Sequence, residues 1–200
     1  TAAHLSVDAI QGVGALPPDV REGAGAFFTA GGYTWLLAGY GVAPFVDSSE
    51  LLDFVDIDRI GWRKLESVSE SGERHFHSDA RKYGYATPAF GAIYQMRAAL
   101  DYVLEVGVNN IASRTLPLAA QLNDGLRERG FAVRTPMGNA SPIVAFEHGV
   151  DAARAAKLFE AARVKVSFRE QGSEIRAGVA LFNNDQDIDG LLDVAGSLKG

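Results

Sequence analysis

Two hundred residues, 47% of them hydrophobic and 22% charged, suffice to bury a real core as one large or two small domains, and they argue against disorder. The formal charge of −6 offers no basic field to a phosphate backbone, which argues against nucleic-acid binding. Zero cysteines exclude disulfides, cysteine nucleophiles, thiolate metal sites and a persulfide relay on this chain, and no run approaches the roughly 20 apolar residues that span a bilayer, so a cytoplasmic protein with no membrane contact is predicted.

Leu5 to Val7 reads as a short buried strand ahead of Asp8, and Gly12, Gly14, Pro17 and Pro18 read as the turn behind it. Ala26 to Ala30 predicts a second strand, and Val42 to Val46 a third that Pro44 pushes towards an edge or a bulge. Ser48 or Ser49 is placed to cap a short helix through Phe54, while the polar stretch from Glu66 to Lys82 reads as an exposed and mobile connection. Pro88 opens a helix whose Phe90, Ile93, Tyr94, Leu100, Val103 and Leu104 form one apolar face, and Gly107 ends it. A further helix carries Ile111, Leu118, Leu122 and Leu126 to a C-cap at Gly130, with a bend expected at Pro117. The period then changes: Phe131 to Arg134, Ile143 to Phe146, Val164 to Phe168 and Ile175 to Val179 read as strands, with a helix from Asp151 to Ala162 between the second and third. Asn184 is placed to cap a last helix through Leu198.

Three segments hold chemistry. Val7-Asp8-Ala9-Ile10-Gln11 places a carboxylate and an amide at a strand end, where a bare Asp also serves as a turn or cap residue. Ala30-Gly31-Gly32-Tyr33-Thr34-Trp35-Leu36-Leu37 is the second segment, and Arg81 to Pro88, closing on Ala86-Thr87-Pro88, is the third. With Gly14-Ala15-Leu16-Pro17, they resemble the class V aminotransferases, the fold-type I pyridoxal-phosphate group that includes cysteine desulfurases, isopenicillin N epimerase-like proteins and kynureninases. The resemblance runs from His4 nearly to the C-terminus. It implies an α/β fold: the C-terminal part of a large cofactor domain over residues 1–88, a connecting helix over 89–107 and a small α+β domain over 108–200.

On this resemblance Asp8 pairs with the pyridine nitrogen of pyridoxal phosphate and keeps it protonated, so that the ring acts as an electron sink. Gln11 lies against the ring hydroxyl, and Thr87 reaches the cofactor phosphate of the neighbouring subunit. Tyr33-Thr34-Trp35 occupies the place of a His-Lys-Trp or Tyr-Lys-Trp triplet, which puts Thr34 where the family keeps its Schiff-base lysine. A lysine is a nucleophile when neutral and a proton carrier afterwards. A hydroxyl forms no imine and is too weak an acid to serve as a base unaided. Ala38-Gly39 also replaces the family's Gly-Pro, which reads as natural divergence; Ala86 replaces a Gly, and the Glu of that segment is absent. Ser167-Phe168-Arg169 and Glu174-Ile175-Arg176 resemble the strands whose arginine holds the substrate carboxylate, with Arg176 the first choice and Arg169 the second.

The resemblance therefore implies a divergent protein that binds an amino-acid-like or carboxylate ligand without ordinary pyridoxal-phosphate chemistry, the cofactor being held noncovalently or not at all. It also implies a C-terminal half, completed by the N-terminal half as a separate chain in a dimer of such pairs. Two other readings stay open. One is a pseudoenzyme or partner-binding subunit. The other is an autoprocessed N-terminal-threonine hydrolase or acyl-transfer enzyme, in which the Thr1 hydroxyl attacks and its terminal amine, with a pKa near 8, is the base. A protease nick or a truncated chain explains an opening Thr1 as well, and at roughly 3.3 Å per residue the strand holds Thr1 roughly 20 Å from Asp8. His75-x-His77 lacks the companion ligands of a metal motif, and Gly23, Gly25, Gly31 and Gly32 form no phosphate-loop pattern, so no metal is expected.

Overall fold

A computed structural model describes residues 4–17, 26–46, 51–52 and 54–199. Thr1 and the cap expected at Ser48 or Ser49 lie outside the described residues. The chain divides into two compact units, the first ending at Glu105 and the second beginning at Val106.

In the first unit β1 (Leu5–Asp8) pairs in parallel with β2 (Ala26–Thr29), and β2 pairs antiparallel with β3 (Phe45–Val46). Pro44 shortens the third strand to two residues: having no N–H, it offers only its carbonyl, which accepts from Ala30 N at 3.1 Å. Both faces of this sheet carry apolar side chains, and Leu5, Phe45 and Val46 among them stay exposed: Phe27 stacks near Phe45 at 6.1 Å, while Phe28 pairs with Val46 on the other face. The stretch expected as a connection is exposed and carries regular structure. A hairpin of β4 (Leu65–Val68) and β5 (Arg74–Phe76) turns at Gly72, which has φ 85°, and a short 3-10 helix follows at Ala80–Tyr83. Helix α1 (Phe90–Val106) starts two residues after Pro88 and buries Met96 against Leu36 and Ala38.

The second unit begins with α2 (Val108–Glu128), which runs through Pro117 without a break in the helix. Its Leu118, Leu122 and Leu126 face an antiparallel sheet in the order β6 (Ala132–Val133), β7 (Ile143–Glu147), β9 (Glu174–Gly178), β8 (Ser167–Arg169). Alternation makes this sheet one-sided: Val144, Phe146, Ile175 and Ala177 are buried, and the residues between them are partly exposed. Helix α3 (Ala152–Ala161), capped by Asp151, contributes Ala155 and Phe159 to the same core. Helix α4 (Asp185–Gly196) opens on the expected Asn184, in a reciprocal capping box with Asp187. The strand expected from Val164 falls at 167–169 because α3 ends in a tight turn at Arg163 and Val164. A parallel segment of a large domain followed by an α+β unit is the expected fold class.

Candidate functional site

Because β1 and β2 run parallel, their carboxyl ends, Asp8 and Thr29, lie side by side, and in open α/β sheets ligands bind beyond such ends. Asp8 is exposed. Its Oδ1 accepts from Ile10 N at 3.0 Å, an Asx turn that folds the chain back, and Oδ2 has no hydrogen bond among the described residues. Ala9 N donates to Thr29 O at 2.7 Å and pins the turn to β2.

The second motif closes over this turn. The Thr34 hydroxyl donates to Ile10 O at 3.0 Å, with Gly31 O at 3.5 Å, and the Trp35 indole donates to Gln11 Oε1 at 3.1 Å. Gly31 allows the approach: a Cβ there would stand 2.8 Å from Ile10 Cδ1. Asp8, Gln11 and Thr34 are thus gathered by the fold, although they are spread over 27 positions of sequence. Tyr33, the other candidate for the cofactor, has its ring against Gly31, where a Cβ would stand 2.9 Å from Tyr33 Cε1, and stacks on Tyr40 at 4.8 Å between ring centroids.

Thr87 lies in irregular chain just before α1, exposed, with no hydrogen bond to the Asp8 group among the described residues. The flanking Ala86 and Pro88 line a concavity of about 470 Å³ with Arg63, His77 and Arg81. His77 Nδ1 is buried, with no hydrogen-bond partner among the described residues. Arg81 is held by Asp79, whose carboxylate is lowered to about 2 by the guanidinium hydrogen bond, then by the backbone N–H of the same residue. This concavity is invisible in the sequence, since it joins two separate stretches of the chain, 62–65 and 77–88. Next to the lining residue Trp62, Gly61 packs directly on backbone: a Cβ there would stand 1.9 Å from Tyr85 O. Gly61→Ala is expected to cost about 1–3 kcal/mol through overpacking against backbone. Hydrogen exchange should quicken over residues 84–88 and stay unchanged in α2 and α4.

In the second unit Arg176 lies on the partly exposed face of β9, paired in register with the small Ala145 and Ser167. Burial first, and the like charge of Arg169 second, lower the Arg176 guanidinium from its ordinary value. Neither arginine has a carboxylate ion pair among the described residues, so both guanidinium forks remain open to an anion.

What this chain offers pyridoxal phosphate is a donor set without an amine. The Asp8 Oδ2, without a hydrogen bond among the described residues, suits a protonated pyridine nitrogen, the Gln11 amide a ring hydroxyl and the exposed Thr87 hydroxyl a phosphate, so the residues present fit the cofactor. Position 34 supplies only a hydroxyl already bonded to backbone. His75 is the middle residue of β5 and His77 follows the strand, and among the described residues no group of three or more His, Asp or Glu is placed to hold a metal.

The sequence matches the aminotransferase class-V family over residues 1–191. It is 27% identical over 189 residues to an uncharacterized aminotransferase of Bacillus subtilis, YcbU, an alignment covering 94% of this chain and 50% of that protein. Its fold is similar to the apo cysteine desulfurase of Thermococcus onnurineus NA1, with a TM-score of 0.87 at 20% identity, over 98% of this chain and 52% of that one. It is also similar to the cysteine desulfurase CsdA of Escherichia coli, with a TM-score of 0.84 at 23% identity, over 98% and 51% of the two chains. The chain therefore spans about half the length of these relatives. A family match that takes in nearly every residue, on a fold with Asp8 at the end of a parallel strand, makes the chain a member of the class V aminotransferase family.

Proposed function

We propose that this is a divergent class V aminotransferase-like protein that binds an amino-acid-like or carboxylate ligand and does not perform ordinary pyridoxal-phosphate chemistry. The observation that carries the reading is the Thr34 hydroxyl, bonded to Ile10 O at 3.0 Å where the resemblance calls for an amine. A donor committed to a backbone carbonyl neither attacks a carbonyl carbon nor takes a proton from a substrate.

Pyridoxal phosphate, when bound, supplies an electron sink. The chain's own residues then act as holders: Asp8 keeps a proton at the ring nitrogen, Gln11 meets the ring hydroxyl, and Thr87 with the nearby cationic concavity meets phosphate. Arg176 grips the ligand carboxylate with two parallel hydrogen bonds, and Arg169 adds charge beside it. The uncovered edge and faces of the β1–β2–β3 sheet, where Leu5 is 58% exposed and Phe45 54%, support completion of the large domain by an N-terminal half. The proposal extends to a dimer of such pairs in the cytoplasm.

Calorimetric titration of the intact protein with pyruvate and with L-alanine tests the carboxylate site. Arg176→Gln is expected to weaken binding about tenfold or more, as loss of a charge-assisted pair does, and Arg169→Gln to weaken it less. Equal affinity in wild type and Arg176→Gln would remove Arg176 from the site.

A further inference from the structure

Two helices of the second unit end in the same backbone motif. At the end of α2, Gly130 N donates to Arg127 O at 2.8 Å and Phe131 N to Leu126 O at 3.0 Å, with Gly130 left-handed at φ 75°. At the end of α3, Arg163 N donates to Glu160 O and Val164 N to Phe159 O, both at 3.0 Å, and the left-handed position, φ 56°, belongs to Arg163. A side chain with a Cβ is strained there, and glycine relieves the strain. The positive charge regains part of the loss through the helix dipole, a role that predicts nothing about ligands.

The strained turn borders a cavity of about 580 Å³, within the range of roughly 300–1,000 Å³ usual for small-molecule sites. Its floor is apolar, with Leu122, Val179 and Leu191 among the buried residues. Phe182, 70% exposed, stands at its rim with Arg163, Lys165 and Gln186. None of these last three side chains has a hydrogen bond or ion pair among the described residues. The one carboxylate in the lining, Asp187, is already engaged: its Oδ2 accepts from Asn184 N at 3.0 Å and from Asn183 Nδ2 at 3.1 Å. Two uncommitted cations above an apolar floor complement a molecule with an anionic head and an apolar body.

We infer that this cavity binds a small amphipathic carboxylate, with the head on Arg163 and Lys165 and the hydrocarbon body over Leu122, Val179 and Leu191 beside Phe182. The inference does not depend on Arg176 or on the cofactor site. Its test exploits the backbone, because Arg163→Gly removes the guanidinium while relieving the left-handed strain. Calorimetric titration of the intact protein with decanoate, below its micelle concentration, should show saturable binding that Arg163→Gly weakens about tenfold or more, with a melting temperature equal to or above that of wild type. Lys165→Gln, at an exposed residue outside any helix, should weaken binding in the same direction, and decanol should bind more weakly than decanoate. Absence of saturable decanoate binding, equal binding by both variants and wild type, or equal binding of decanol would overturn the proposal. A destabilised Arg163→Gly with undiminished affinity would assign Arg163 to the helix end alone.

Discussion

Thr34→Lys, in the intact protein incubated with pyridoxal phosphate and reduced with borohydride, is expected to gain a stoichiometric cofactor adduct at position 34 that wild type and Thr34→Ala lack. The reason is local. Thr34 sits on a segment tied to the turn after Asp8 by its own hydroxyl and by the Trp35–Gln11 hydrogen bond, so an amine introduced there starts beside the groups that would hold the ring. The substitution sacrifices the bond to Ile10 O, worth about 1 kcal/mol, while the Trp35 tie remains to position the segment. Intact mass followed by peptide mapping gives the readout. Stoichiometric labelling of Thr34→Ala would mean that another amine reaches the cofactor and that position 34 is not decisive.

Phe146→Ala should have the largest effect on stability. Phe146 is fully buried on β7, meets Phe131 edge-on at 5.3 Å and stands opposite the fully buried Ile175 of β9. Truncation leaves a cavity between strands and helices whose positions are fixed by many other contacts, so the expected loss is about 3–5 kcal/mol, a large share of the roughly 5–15 kcal/mol that holds a domain folded. Urea melting of the intact protein measures it. Met137→Ala, at a residue 72% exposed, should change stability by less than about 0.5 kcal/mol in the same assay. A Phe146 variant as stable as the Met137 variant would contradict the core described for the second unit.

The second unit was the more legible in sequence, because its elements alternate or repeat cleanly. Ile143 to Phe146 and Ile175 to Val179 each put one face in the core, Asn184 capped α4, and Gly130 ended α2 as expected. The hairpin at 65–76 escaped because Glu66, Ser67, Ser69, Glu73 and Arg74 show no apolar period, and its pairing rests on backbone hydrogen bonds around Gly72. The displacement of β8 escaped because Val164 and Val166 look like strand residues, while the turn that delays the strand is made by an arginine in a conformation usually left to glycine. For the candidate site, the family resemblance singled out Asp8, Gln11 and Thr34 as candidates. Their hydrogen-bonded grouping was not legible, since Thr34 to Ile10 is a contact across 24 residues. Both cavities join residues from separated stretches, and no local pattern announces them.

The most direct test of the proposal that Thr34 stands in place of a cofactor lysine is borohydride reduction of the intact wild-type protein in the presence of pyridoxal phosphate, followed by peptide mapping of every lysine. Noncovalent or absent binding predicts lysines unmodified beyond the level of a denatured control. A specific, stoichiometric reduced-cofactor adduct on any lysine, such as the buried Lys64, would show that another amine has taken over the role and would contradict the reading of Thr34.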